Sequence, residues 1–136
     1  MSEEQLIKNV YERFNSRNYS GVLEFFDENF EWIAAENSPL GDKSPYQGVE
    51  AVRTGVFDRI AAGFEKLEVE IDEMFAGGER VVVLGYYHAR FQESQDEFQI
   101  QVAHIWTVRD GKAVKFQQYV DTLKIAQKAQ ANAVSG

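Results

Sequence analysis

The sequence predicts an α+β fold in which helices come first and an antiparallel meander follows. Three observations predict it. The first half carries apolar residues at helical spacing, and the second half carries four runs in which apolar and polar residues alternate. The dipeptide Asp110-Gly111 joins the last two runs as a type I′ hairpin turn, which needs φ > 0 at both central positions. At 136 residues the chain is one domain, long enough to bury a real core.

The elements follow in order. Residues 3 to 16 form an amphipathic helix with Leu6, Ile7, Val10, Tyr11 and Phe14 on one stripe and Ser2 as its cap. Asn15 to Tyr19 is a short break, and Ser20 to Phe26 is a second short helix. Phe30 to Ala35 is a strand carrying Trp32. Glu36 to Gly48 holds both prolines and is a loop. Val49 to Gly63 is a third helix that buries Val49, Val52, Val56, Phe57 and Ile60. Leu67 to Phe75 sets Leu67, Val69 and Ile71 against Glu68, Glu70 and Asp72, the pattern of a half-exposed strand. Gly77-Gly78 turns the chain into Arg80 to Phe91, a long strand covered on both faces. Gln92 to Asp96 is a polar turn. Glu97 to Val108 and Lys112 to Thr122 complete the meander. Leu123 to Val134, rich in Ala, Gln and Lys, is a terminal helix or a frayed tail. No repeat and no second domain is visible, so residues 1–136 read as one domain with an ordered core over about 4–123.

Composition narrows the function. A hydrophobic fraction of 44% and an aromatic fraction of 13% belong to a folded protein. The net charge of -8 argues against nucleic acid, whose phosphates need a basic patch. No apolar run approaches the length of a membrane span, about 20 residues. The start, MSEEQLIKNV, lacks the basic and apolar regions of a signal peptide, so a cytoplasmic location is expected. There is no cysteine, hence no thiolate nucleophile or thiolate metal site.

The last hairpin carries the functional expectation. With Asp110-Gly111 as the turn, Arg109 faces Lys112, and plain alternation assigns the faces. One face takes His104, Trp106, Gln117, Tyr119 and Asp121; the other takes Ile105, Val114, Phe116 and Val120. The first set mixes aromatic and polar groups, as ligand pockets do. Placing Phe91 opposite Phe98 adds Val81, Val83, Gly85 and Tyr87 to that face. The expected pocket gathers Trp32, Trp106, His104, Gln117, Tyr119, Tyr87 and Asp121, with Tyr11 and Phe14 of the first helix as its floor. Leu84, Tyr86, Ile105, Phe116 and Val120 then form an apolar strip on the sheet back. Such a strip marks an interface, and a two-fold homodimer is expected there.

Each candidate has a functional and a plain reading. Asp121 in apolar surroundings would have a raised pKa and act as acid or base; equally, it can cap the helix that starts at Thr122. His104 can donate to a substrate oxygen, or be a core histidine satisfied by Gln117. Glu36 is a second acid/base candidate, or an exposed loop charge. Tyr46 is a lid residue or a loop anchor. His88 is placed on the opposite face from His104, so the two histidines cannot share a metal ion. No nucleophile elbow, phosphate loop or dinucleotide fingerprint is present.

The stretches VYERFNSRNYSGVLEFFDENFEW, YQGVEAVRTGVFDRI and HIWTVRDGKAVKFQQYVDT resemble the nuclear transport factor 2-like superfamily. Within it the chain is similar to the SnoaL-like and ketosteroid-isomerase-related branch, over most of residues 4 to 123. The resemblance implies a cone-shaped, curved antiparallel sheet wrapped around three N-terminal helices, a pocket open at one end, and dimers through the sheet back. It implies a general-base aspartate at the position of Ala34, where Glu36 is the nearest carboxylate. It places an oxyanion-donor acid at His104, a donor tyrosine near Tyr11, and a cyclase-type acid/base at Asp121. The implied function is a cofactor-free isomerase, cyclase or dehydratase that moves protons on a small apolar or aromatic molecule. The alternatives are a non-catalytic binder of such a molecule and a structural dimer module, since this fold hosts many functions.

Overall fold

In the computed structural model, which describes residues 1–135, the chain enters its first helix through Ser2. Ser2 Oγ accepts the Gln5 N–H at 3.1 Å and satisfies one of the free donors at the start of α1 (Glu3–Asn15). Leu6, Ile7, Val10, Tyr11 and Phe14 all turn inward, as their spacing predicts. The Asn15 side chain bonds both backbone groups of Val69, at 2.8 and 3.0 Å, and fixes the end of α1 against the sheet. α2 (Tyr19–Leu23) is shorter than expected because β1 (Phe26–Ile33) already begins at Phe26. The third helix runs from Val49 to Gly63 in three parts: α3 (Val49–Val52), a π-helical turn (Arg53–Phe57) and α4 (Asp58–Gly63). The ring of Tyr46, in the two-residue strand β2 (Tyr46–Gln47), packs against that turn at Gly55. A Cβ there would stand 2.3 Å from the ring, so only glycine admits it.

The meander is β3 (Phe64–Gly77), β4 (Arg80–Phe91), β5 (Glu97–Arg109) and β6 (Lys112–Val120). The six strands run in the order β2-β1-β6-β5-β4-β3. β1 joins β6 in parallel while the other neighbours pair antiparallel, so the sheet is mixed, α+β as expected, curved and unclosed. A bulge in β3 between Ile71 and Glu73 contributes to the curl. It lies against Gly85, where a Cβ would come within 1.8 Å of the Glu70 carbonyl oxygen. α5 (Thr122–Ser135) is helical and docks on the turn after β4. Lys128 pairs with Asp96 at 3.3 Å, and Asn132 Oδ1 accepts the Ser94 N–H at 3.2 Å. Among the described residues no helix is long and apolar enough to cross a membrane.

The register of the last hairpin corrects the expected faces. The turn itself is as predicted: Asp110 and Gly111 have φ of 53° and 76°, and Arg109 faces Lys112. Then Val108 faces Ala113 while Thr107 faces Lys115, which leaves Val114 as an extra residue. One extra residue inverts every side chain beyond it. Phe116, Gln118 and Val120 therefore join His104 and Trp106 on the helix-covered face; Gln117, Tyr119 and Asp121 move to the outer face. Phe116 is 1% exposed and Tyr119 54% exposed. The cause is a conflict of spacing. Ala113 is bonded through its N–H to the Phe25 carbonyl at 2.9 Å, and Phe116 must reach Trp32 and Trp106, 4.1 and 4.6 Å between ring centroids. Both residues are buried, three positions apart, which an unbroken strand cannot satisfy. In the β4–β5 ladder Phe98 faces Ala89 rather than Phe91, a slip of two residues that preserves the faces.

Candidate ligand-binding site

A cavity of two small chambers lies between the inner face of the sheet, α1 and the third helix. The inner chamber, about 20 Å³, is walled by Tyr11, His104, Trp106 and Phe116 among others. The outer one, about 70 Å³, is walled by Ala34, Leu40, Ile60, Gln118, Val120 and Ile125 among others. Phe14, Trp32 and Tyr87 line both and mark the boundary. The roof is the loop over 34–45 together with Ile125 of α5. Arg59 holds that loop down: Nη1 donates to Asp42 Oδ1 at 2.6 Å and Nη2 to the Pro39 carbonyl at 3.2 Å. The Tyr46 hydroxyl donates to the Leu40 carbonyl at 2.7 Å. The Arg59 hydrogen bond keeps the Asp42 carboxyl below its usual pKa.

His104, 1% exposed, is the one buried side chain of the polar and charged classes among the described residues. It is carried into the core by β5 and is fully paired there. Nδ1 lies 2.6 Å from the Tyr11 hydroxyl and Nε2 lies 3.0 Å from the Tyr87 hydroxyl. The Trp106 indole N–H donates to Tyr11 Oη at 2.9 Å. Gln118 Nε2 donates to Tyr87 Oη at 2.8 Å, and Gln118 Oε1 accepts the Ala35 N–H at 3.1 Å. That last bond fixes which way the Gln118 amide points.

Donor counting then places the protons. Burial pushes the His104 imidazole down to about 3, so it is neutral and carries one N–H. Burial raises the Tyr11 hydroxyl well above its usual value, only partly opposed by the Trp106 N–H, and raises Tyr87 as well; both stay protonated. Tyr11 is 4% exposed, and among the described residues His104 Nδ1 is the one acceptor bonded to its O–H. Leaving that proton unpaired would cost about 1–3 kcal/mol, and the reverse tautomer would strand it on buried Tyr11 instead of on half-buried Tyr87 at the chamber boundary. Tyr11 therefore donates to Nδ1, and the imidazole donates from Nε2 to Tyr87.

The structure brings together His104, Tyr11, Trp106, Trp32, Phe14 and Tyr87. It separates the other expected site residues from them. Asp121 lies on the outer face beside Tyr86 and Gln101, and its Oδ1 accepts the Lys124 N–H at 3.1 Å as the cap of α5. Tyr119 and Gln117 sit on the outer face for the register reason above. Glu36 is exposed in the turn that follows β1. Ala34, at the position where the resemblance implies a base, lines the outer chamber with a methyl group. Gln118, Val120 and Phe116 were missed, because they became inward residues only through the bulge. A glutamine pair inside an aromatic strand is the one trace Gln118 leaves in the sequence.

The form is a buried, hydrogen-bonded cavity inside a half-closed α+β cone. The chain belongs to the SnoaL-like domain family, whose model matches residues 7–116. No curated protein matches the chain in sequence. Among solved structures, a nuclear transport factor 2-like protein of unknown function from Burkholderia pseudomallei is 26% identical, with TM-score 0.84 over 93% of this chain and 97% of that one. A nuclear transport factor 2-like protein from Burkholderia thailandensis is 24% identical, with TM-score 0.87 over 96% and 98%. TerC, co-crystallised with polyporic acid, is 23% identical, with TM-score 0.81 over 92% and 95%.

Proposed function

We propose that this chain binds a small, largely apolar molecule in the cone cavity and holds it without turning it over. One observation carries the reading: the ionisable groups that line the two chambers, His104, Tyr11 and Tyr87, are hydrogen-bonded to one another, and no carboxylate among the described residues lines either chamber. His104 sits at about 3, and Tyr11 and Tyr87 lie above their usual values. Proton transfer near pH 7 needs a group that titrates close to that pH. The carboxylates expected for that task, Asp121 and Glu36, point elsewhere. This favours the binding reading over a cofactor-free isomerase, cyclase or dehydratase. TerC, similar in fold, was crystallised with a small organic molecule, and the binding reading follows the same pattern.

The outer chamber, about 70 Å³, is smaller than the roughly 300–1,000 Å³ of typical ligand pockets. Entry of a ligand therefore displaces the roof, whose loop is held by Arg59 and Tyr46. The second part of the reading is a homodimer across the outer sheet face. Phe116 and Val120 leave the expected strip, but half-buried Leu84, Tyr86 and Ile105 remain, and exposed Tyr119 joins them. Calorimetric titration with a bicyclic aromatic probe, run beside a deuterium-exchange assay for protons next to ketone and lactone carbonyls, tests the first part. Binding without catalysed exchange is expected; catalysed exchange at pH 7 would overturn the reading. Light scattering at micromolar concentration tests the second, with twice the monomer mass expected.

A further inference from the structure

The hydrogen bonds around His104 leave one proton over. Tyr87 Oη accepts from Gln118 Nε2 at 2.8 Å and from His104 Nε2 at 3.0 Å, so both of its lone pairs are used. Its own O–H then has no acceptor among the described residues. The hydroxyl stands between Gln118, which lines the outer chamber, and His104, which lines the inner one. The geometry points to Tyr87 as a ligand-facing hydrogen-bond donor, and so to an occupant that presents a neutral carbonyl oxygen on an apolar body.

The inference rests on the binding reading above and narrows it to a chemical class. A pure hydrocarbon would leave the Tyr87 proton dry and unpaired, which is unfavourable in an apolar chamber. An occupant with only donors, such as an ammonium group, finds no free lone pair on Tyr87. A carboxylate would lose its water without gaining a cation, since no Lys or Arg among the described residues lines either chamber and Arg59, which ties down the roof, is held by Asp42 at 2.6 Å. A ketone or quinone-type carbonyl meets the free proton and brings no charge. Trp106, Tyr11 and His104 act behind Tyr87 as positioning residues. The indole N–H occupies Tyr11 Oη, the Tyr11 proton occupies Nδ1, and the imidazole is thereby set to donate toward Tyr87.

Two measurements test this. Nitrogen-15 NMR of the unliganded protein should find His104 as the Nε2–H tautomer; the Nδ1–H tautomer would require Tyr87 to spend its proton on the imidazole and would overturn the inference. Calorimetric titration should then compare 1-indanone with indane, the same body without the carbonyl, in wild type and Tyr87→Phe. The substitution should weaken indanone ~10-fold and leave indane bound as tightly or tighter, since it removes the proton that a hydrocarbon strands. Equal effects on both probes would overturn the carbonyl-donor inference while leaving the pocket reading intact. Failure of both probes to bind wild type would overturn both. Because the tautomer is read in wild type, the test holds even if Tyr87→Phe folds poorly. Tyr11→Phe adds a check on positioning: it frees Nδ1, lets the imidazole reverse, and should weaken indanone but not indane although Tyr87 is untouched.

Discussion

The two faces of the β4–β5–β6 sheet use the same residue types for opposite ends. Inside, a histidine, a tryptophan and a glutamine are linked through two tyrosine hydroxyls into one hydrogen-bonded network. Outside, a histidine, a tyrosine and an aspartate sit among charges. His88 bonds Glu70 at 2.9 Å at the surface and lowers the pKa of that carboxylate. His104, sixteen residues further on, meets two phenols instead, and its imidazole is pushed down to about 3 by burial alone. Composition does not separate these two environments. Strand alternation alone divides the two histidines, and one inserted residue, Val114, decides which side chains of β6 fall on which face.

The largest expected effect breaks the comparison directly. If the bulge is where the ladder places it, Phe116→Ala removes a fully buried ring and costs about 3–5 kcal/mol. Tyr119→Ala, three residues on, removes an exposed ring and stays within about 0.5 kcal/mol. Urea unfolding at matched, low protomer concentration reads both, since any dimer would make stability depend on concentration. Similar losses at the two positions would mean that the faces are not divided as described. Phe116→Glu, which the unbroken register would make an interface change, should unfold the protomer rather than split a dimer.

The next effect concerns the neutrality of the inner face. Tyr11→Phe strips the partner from the Trp106 N–H and from His104 Nδ1, and should cost about 1–3 kcal/mol. His104 itself predicts a pH dependence with a definite sign. Its folded pKa is about 3, below the unfolded value of about 6.5. Above pH 6.5 both states are neutral and nothing changes. Below it the unfolded chain takes up a proton that the native state refuses, so stability falls as pH drops toward 3, by up to about 1.4 kcal/mol per pH unit. The difference in slope between wild type and His104→Gln over pH 5 to 6.5 isolates this, because His88 and the carboxylates are common to both. Equal slopes would mean that His104 is not held neutral.

The limits of sequence reading follow from the same hairpin. Helix positions were legible because the stripe from Leu6 to Phe14 repeats at 3.6 residues and tolerates errors of one at its ends. The turn was legible because Asp110 and Gly111 are the residues that positive φ favours. The faces of β5 were legible from that turn, and those of β4 survived a slip because it was even. The faces of β6 were not. A bulge is set by tertiary demands, here the need to bury both Ala113 and Phe116, and KAVKFQQYV alternates acceptably without one. The expected site residues of the last strand and its end, Gln117, Tyr119 and Asp121, all lie beyond that single insertion. Glu36 was unreadable for another reason: a loop charge carries no periodicity that could say which way it points.

The smallest effect concerns Asp121, and it separates the two readings of that residue. Its Oδ1 accepts the Lys124 N–H at 3.1 Å and its carbonyl accepts the Ile125 N–H at 3.1 Å, the two bonds that start α5. As a cap it is replaceable by chemistry, not by charge. Asparagine caps about as well as aspartate, while alanine costs about 1 kcal/mol. Asp121→Asn should therefore unfold like wild type, and Asp121→Ala should be weaker by roughly that amount. An acid or base in the cavity would give the reverse order of severity for function, because asparagine keeps the shape and removes the titrating group. Ligand binding sharpens the distinction. Ile125, four residues into this segment, lies in the cavity roof. Loosening the cap frees the start of α5, so Asp121→Ala should raise the dissociation rate of a bound probe modestly while Asp121→Asn leaves it alone. A probe released faster from Asp121→Asn than from Asp121→Ala would put the carboxylate back in the site.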